Sequence, residues 1–238
     1  MDERFGTRVV TARAPAAEID EGLRSYMLSV YNYMALGLAL TGLTAYVVAS
    51  TPALWTVLFG TPLKWVVMLA PLGFVFFLSA RIHRMSVSAA QLSFWGFAVL
   101  MGLSMASIFL VFTYTSIARV FFITAATFGA VSLYGYTTRR DLSSFGTFLF
   151  MGLIGVVVAS LVNLFLQSSA FQFLISIVGV IVFVGLTAYD TQAIKEEYYE
   201  LDAPETAARK AIMGALRLYL DFINLFIMLL QLFGQNRE

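Results

Sequence analysis

The sequence predicts an all-α membrane protein with seven transmembrane helices, and two properties of the chain lead to that fold class. The first is composition: 60% of the 238 residues are hydrophobic and only 12% are charged, against about 25% charged in a typical soluble domain. The second is the length of the uncharged stretches, which reach 39 residues between Arg24 and Lys64 and 48 residues between Asp141 and Asp190. Because a transmembrane helix needs about 20 apolar residues, the longer stretch is sufficient for two crossings joined by a tight turn.

The spans follow from these stretches in chain order. In hydrocarbon, every backbone amide must be hydrogen-bonded within its own segment, so each span is predicted to be a helix. The short alternating strands that are typical of a transmembrane barrel do not occur in the sequence. The predicted spans are 25–49, 63–80, 90–112, 116–137, 145–166, 171–190 and 211–233.

Charged residues mark the ends of most spans. The first span begins after Arg24, and the second occupies the 16 uncharged residues between Lys64 and Arg81. The second is therefore the shortest, and we expect it to recruit residues before Lys64 or to tilt little. Arg119 separates the third span from the fourth, the fifth and sixth share the longest uncharged stretch, and the seventh follows a charged connector at 195–210.

The chain is predicted to divide into a polar cytoplasmic arm at 1–24 and a transmembrane domain at 25–235. The arm holds four arginines and five acids and contains no apolar segment of the kind that precedes a cleavage site, so no signal peptide is predicted. The arm and the loops after the second, fourth and sixth spans together carry 12 of the 15 Lys and Arg residues. Because such an excess faces the cytoplasm, the N-terminus is predicted to be cytoplasmic.

Composition also excludes several kinds of site. The chain has no cysteine, which excludes a disulfide scaffold, an iron–sulfur cluster and a cysteine nucleophile. Its single histidine, His83, excludes a multi-histidine metal site. A net charge of +1 gives no indication of nucleic-acid binding. No cofactor is therefore expected.

Two acidic residues lie within predicted spans, where an ionisable group is costly and commonly functional. Asp190 ends the sixth span, and Asp221 lies inside the seventh. Both helices meet at the same cytoplasmic connector. If Lys195 and Arg217 mark the edge of the membrane, the two carboxylates lie at a similar depth on adjacent helices, about 6–8 Å inside that edge at a rise of about 1.5 Å per residue.

Two carboxylates at one depth cannot both ionise cheaply in a low dielectric, so we expect Asp190 and Asp221 to share a proton and to titrate as a unit. The face of the seventh span that carries Asp221 also carries Arg217 and Asn224, which are accessory candidates because they lie three or four residues away. Carboxylates also suit calcium, although two of them cannot supply the roughly six to eight oxygens that this ion takes. The alternatives are a simple Asp221–Arg217 pair at the interface and a solvated helix end at Asp190.

Small residues at helical spacing predict where the spans pack closely, because they let two backbones approach in lipid. Such pairs occur in the first, fifth and sixth spans. They are Ala35 and Ala39, Gly152 and Gly155, and Gly179 and Gly185.

Two motifs near the C-terminus carry a resemblance to a known family. The first is the run Tyr189–Gln192, which reads Tyr-Asp-Thr-Gln. The second and more specific is Leu218–Phe226, which reads Leu-Tyr-Leu-Asp-Phe-Ile-Asn-Leu-Phe and is followed by Leu232–Gly234. With these motifs the chain resembles the Bax inhibitor (transmembrane Bax-inhibitor-motif) family, and its bacterial members more narrowly, over about residues 25–235.

The resemblance implies a fold, a function and roles for three residues. The seventh of seven helices is expected to be central and wrapped by the other six. The expected function is a pH-sensitive calcium leak in a bacterial inner membrane, with calcium and protons as its ligands. Asp190 and Asp221 then form the proton-sharing pair that closes the pore and the candidate calcium site, and Arg81, at the end of the second helix, is the arginine that latches the pair.

Two other functions stay open at this point. Some bacterial relatives are partners of a membrane-anchored ATP-dependent protease, so the chain is alternatively a regulatory partner without transport activity, with the arm at 1–24 as its contact. Paired aspartates also occur in intramembrane proteases, where they share a proton and activate water. No glycine-rich motif lies beside either aspartate, so the chain is predicted not to be an enzyme.

Overall fold

The computed structural model describes residues 14–237, which are helical almost throughout. Seven helices of the described chain are long and apolar enough to cross a membrane, so the predicted fold class is confirmed. The helices are α1 (Ala14–Ser50), α2 (Pro52–Phe59), α3 (Leu63–Arg81), α4 (Val87–Met105), α5 (Ile108–Val111), α6 (Tyr114–Thr137), α7 (Ser143–Leu166), α8 (Ser169–Glu196) and α9 (Pro204–Phe233), with a 3₁₀ turn at Ile82–Arg84.

The N-terminal half differs from the predicted spans in three places. Helix α1 begins at Ala14, so residues 14–24 continue the first span as helix, and residues 1–13 of the predicted arm lie outside the described residues. The short helix α2 occupies the loop between the first two spans and starts with Pro52, a residue that is preorganised for the first helical turn. The third span is interrupted after Met105 and resumes as α5.

Helices α8 and α9 extend further towards the connector that joins them than the predicted spans. Helix α8 continues past Asp190 to Glu196. Helix α9 begins at Pro204, with Glu205 in its first turn, where a negative charge interacts favourably with the helix dipole. Both extensions are charged, so they lie outside the apolar spans.

Helix α9 is the centre of the bundle. In its apolar part, 72% of the residues are buried, compared with 39% for α8 and 11% for α7. It packs directly against α1, α4, α6 and α8, whereas α3 packs mainly against α4 and α7 mainly against α8. The expectation of a central seventh helix is therefore correct, but four helices surround it directly and two lie mainly in an outer layer.

The C-terminal end is attached to the side of the bundle opposite the connector between α8 and α9. The backbone N–H of Thr113 donates to the carbonyl of Gln235 at 2.9 Å, and the N–H of Arg237 donates to the carbonyl of Val111 at 2.9 Å. These bonds join the residues after α9 to the loop between α5 and α6. Helix α9 therefore crosses the bundle completely.

Several helices approach each other closely at glycines. A Cβ atom at Gly135 of α6 would collide with the carbonyl oxygen of Ala188 in α8, so these two backbones are in contact. The predicted small-residue pairs have mixed outcomes. Gly152 packs against Val182, Gly179 against Met228 and Gly185 against Leu149, whereas Gly155 faces open space and both Ala35 and Ala39 line a groove.

We predict that Gly135→Ala destabilises the fold by about 1–3 kcal/mol, because the added methyl group forces α6 and α8 apart. The matched control is Gly155→Ala, where a Cβ meets no atom within 4 Å. That change should alter stability by less than about 0.5 kcal/mol or should stabilise the helix slightly. Thermal unfolding of both variants in detergent measures the difference, and equal unfolding temperatures would show that the close approach of α6 and α8 is not a structural requirement.

Candidate functional site

A cavity between α7, α8 and α9 contains both predicted aspartates. Its volume is about 530 Å³, and its polar lining consists of Tyr189 and Asp190 from α8, Arg217, Asp221 and Asn224 from α9, and Thr147 from α7. Apolar side chains of the three helices complete the walls. The structure therefore brings four of the five predicted site residues to one place.

The carboxyl groups of Asp190 and Asp221 lie within hydrogen-bonding distance of each other. Asp221 is only 5% exposed, and its Oδ2 has no hydrogen-bond partner among the described residues. A buried acceptor without a donor costs about 1–3 kcal/mol, and more when it is charged. A proton on one of the two carboxyl groups would supply the missing donor.

Arg217 is the cation beside this pair. Its Nη1 donates to Oε1 of Glu197 at 2.6 Å, which joins α9 to the end of α8. The side chains of Arg217 and Glu197 are 35% and 34% exposed, so the ion pair lies at the mouth of the cavity nearest the connector between α8 and α9. Asp221 lies one helical turn deeper on the same helix.

Arg81 does not lie at the aspartate pair. Its side chain is exposed at the end of α3, and it is not part of the cavity lining. Among the residues that the structure describes, it forms no ion pair. Since α3 packs in the outer layer against α4, the predicted latch is not formed here, and Arg217 supplies the positive charge instead.

Asn224 lies on the same face of α9, one turn beyond Asp221. Its amide group donates to the carbonyl of Leu220 at 2.8 Å, a bond that does not involve its side-chain oxygen. No cluster of three or more acidic or histidine side chains suited to a metal ion occurs in the described part of the chain. Calcium would therefore meet two carboxylates and one amide oxygen, and water would have to complete its roughly six to eight ligands. Such a set is too small for tight binding of calcium by protein ligands alone.

The residues next to Asp190 in its motif hold the end of α8 in place. Gln192 donates to the carbonyl of Arg140 at 2.9 Å and accepts from the N–H of Leu142 at 2.8 Å, so it clamps the loop between α6 and α7. Thr191 forms a 2.9 Å hydrogen bond with Ser132 of α6. These contacts determine where the Asp190 carboxyl group lies.

A second polar cluster, which the sequence reasoning missed, lies at the outer end of the same three helices. Gln172 of α8 donates to Gln231 of α9 at 2.6 Å, and Ser176 donates to the same oxygen at 2.9 Å. Asn163 of α7 donates to Gln172 at 2.9 Å. These side chains carry no charge, so a search for charged residues within the spans could not find them.

Helix faces connect the aspartate cavity to this outer cluster. On α9, Asp221, Asn224, Met228 and Gln231 follow each other at steps of three or four residues and share one face. Between the two polar regions, the side chain of Met228 lies against Gly179 of α8. We call the α8–α9 seam the contact between this face of α9 and the facing residues of α8. The residues of α8 in the seam are Gln172, Ser176, Gly179, Phe183, Leu186 and Asp190.

Similarity to known proteins extends over nearly the whole chain. A family model described as inhibitor of apoptosis-promoting Bax1 matches residues 23–238. The inner membrane protein YbhL of Escherichia coli (strain K12) is 48% identical over 219 residues, which are 91% of this chain and 94% of YbhL. The uncharacterized protein RP147 of Rickettsia prowazekii is 48% identical over 232 residues, 98% of each chain. An uncharacterized protein of Caulobacter vibrioides is 44% identical over 241 residues, 97% of this chain and 96% of the relative.

We predict that the Arg217–Glu197 ion pair contributes about 1 kcal/mol of coupling to stability, because it is partly shielded from water and has a short contact. A double-mutant cycle with Arg217→Gln and Glu197→Gln, followed by thermal unfolding, measures this coupling. The control cycle uses Arg209 and Glu205, whose contact is 3.8 Å with Glu205 79% exposed, and should give a coupling near zero. Equal coupling energies in both cycles would show that the position of the Arg217–Glu197 pair at the cavity mouth does not strengthen it.

Proposed function

Because the chain belongs to the Bax inhibitor family and has seven membrane-spanning helices, we propose that it is a pH-sensitive, calcium-permeable leak of the bacterial inner membrane. The observation that carries the proposal is the contact between two carboxyl groups, Asp190 and Asp221, inside an intramembrane cavity. Acidic groups at such depth usually mark an ion or proton pathway. The similarity to YbhL, an inner membrane protein of E. coli, supports the choice of membrane.

The proton shared by the pair controls closure in this proposal. With one proton, the two carboxyl groups form a hydrogen bond between α8 and α9 and keep one negative charge, which attracts Arg217 at the mouth of the cavity. A second proton at lower pH neutralises the pair, so the attraction for Arg217 is lost. Arg217 then keeps its contact with Glu197 but loses its attraction to Asp190, so α8 separates from α9 more readily at the cytoplasmic mouth and the leak increases as the pH falls.

The α8–α9 seam favours ion transport over a regulatory or a proteolytic function. Polar side chains occur on it near both ends of the helices. The seam is apolar between them, and Met228 lies against Gly179 in that part. A cation that passes this contact exchanges carboxylate and amide oxygens for the side-chain oxygens of Gln231 and Ser176. Hard oxygen ligands of this kind suit calcium.

A regulatory role towards a membrane-anchored ATP-dependent protease remains the alternative. It depends on the arm at 1–24, of which residues 1–13 lie outside the described structure, and it gives no role to the buried pair. An intramembrane protease would use the pair to activate water and would require a peptide in the cavity. Neither alternative requires calcium to cross the membrane, so a flux assay separates them from the leak.

We predict that Asp190→Asn and Asp221→Asn each abolish the steep pH dependence of calcium flux into proteoliposomes between about pH 5 and 8, the range in which a shared proton would titrate. The effects should not add, because both changes remove the same shared proton, so the double variant should resemble either single variant. Asparagine keeps the shape of aspartate, so folding should be preserved.

The matched control is Asp141→Asn, which makes the same substitution at a fully exposed cytoplasmic residue. Hydrogen bonds from Ser143 lower the pKa of Asp141, so it remains ionised throughout this pH range and should leave the pH profile unchanged. A normal pH profile in Asp190→Asn would contradict the proton-sharing gate. Absence of calcium flux in the wild-type chain at every pH would contradict the leak itself.

A further inference from the structure

A larger groove, separate from the aspartate cavity, opens between α1 and α6. Its volume is about 820 Å³, its floor is Phe222 of α9, and it shares no lining residue with the aspartate cavity. The two flanking helices are bridged by a 2.6 Å hydrogen bond between Tyr31 and Ser132. Phe222 itself is only 3% exposed, so the groove reaches the surface of the central helix without opening it widely to the membrane.

Small residues keep this groove open. Ala35 and Ala39 line it on α1, and Gly129 lines it on α6. A Cβ atom at Gly129 would meet no atom within 4 Å, so an ordinary side chain would fit there. An unfilled space of this kind loses dispersion contacts, and its mainly apolar lining offers little to hold water. In a bilayer, hydrocarbon is the material that fills it.

The length of the groove matches one leaflet of a membrane. Its α1 wall extends from Arg24 to Ala39, which is about 22 Å at a rise of about 1.5 Å per residue. Half of a bilayer, including the headgroup layer, is about 20–22 Å thick. Arg24, on the cytoplasmic side of the bundle, therefore lies at headgroup level, and Ala39 lies near the midplane.

The charges at the cytoplasmic end of the groove favour a particular headgroup. Arg24 is exposed and lines the groove, and a guanidinium group pairs well with phosphate. Basic positions between helices on the cytoplasmic side are typical lipid headgroup sites. Glu21 is exposed three residues earlier, on the same side of α1, where it favours an ammonium group beyond the phosphate over a second negative charge.

We propose that the groove binds one amine-bearing phospholipid of the cytoplasmic leaflet. One acyl chain lies along Ala35 and Gly129 down to Phe222, the phosphate lies on Arg24, and the ammonium group lies beside Glu21. The lipid completes the wall around α9 between α1 and α6. This site does not depend on what passes through the aspartate cavity.

The experiment titrates the detergent-purified chain with phosphatidylethanolamine and, separately, with phosphatidylglycerol, and follows binding by native mass spectrometry. Gly129→Phe fills the groove, and Ala35→Leu fills it from the opposite wall. Arg24→Gln removes the phosphate contact. Each of these variants should bind phosphatidylethanolamine roughly tenfold more weakly or worse, the size expected for loss of a charge-assisted hydrogen bond or of the space for an acyl chain.

Two matched controls distinguish a specific site from general lipid contact. Gly155→Phe places the same bulk on α7 at a glycine with equally open surroundings, and Arg139→Gln removes another exposed cytoplasmic arginine. Both should bind phosphatidylethanolamine as the wild-type chain does, and no variant should unfold at a lower temperature than the wild-type chain in detergent without added lipid. Unchanged binding in both groove-filling variants, equal losses in the controls, or a preference for phosphatidylglycerol would overturn the proposal.

Discussion

Burial of Asp221 in the most enclosed helix of a membrane protein constrains everything around it. A carboxylate at that position must be paired or protonated, because the surrounding hydrocarbon offers no water. The structure meets this constraint with a second carboxyl group from α8 and a guanidinium group one turn away. The clamp formed by Gln192 and the link between Arg217 and Glu197 both hold α8 in the position that this contact needs.

Two faces of α9 make different contacts. On one face, Tyr219 is fully buried between Phe94 and Phe97 and forms a 2.6 Å hydrogen bond with Thr41, which also donates to the carbonyl of Ala98 at 2.8 Å. This face is fixed to α1 and α4. The other face carries the aspartate cavity and the α8–α9 seam. Movement of α8 and α7 against a fixed α9 is therefore the simplest way to open the seam.

Much of this architecture could be predicted from where charges are absent. A long uncharged helix presents apolar side chains to the lipid and forms all its backbone hydrogen bonds internally. The contact between Asp190 and Asp221 could be anticipated because a short connector joins α8 to α9, so the two helices lie side by side where they enter it. The position of Arg81 could not, because a sequence shows on which side of the membrane a residue lies but not its place around the bundle. The cluster of Gln172, Ser176 and Gln231 was missed because uncharged polar residues are common in membrane helices.

The central claim is that Asp190 and Asp221 hold one proton between them, and infrared titration of carboxyl groups in reconstituted membranes tests it most directly. In the wild-type chain the two protons should leave in separate steps, with a strongly hydrogen-bonded carboxyl signal at intermediate pH that is absent from both Asp190→Asn and Asp221→Asn. A wild-type titration equal to the sum of the titrations of the two single variants, without that intermediate signal, would show two independent acids and would contradict the account.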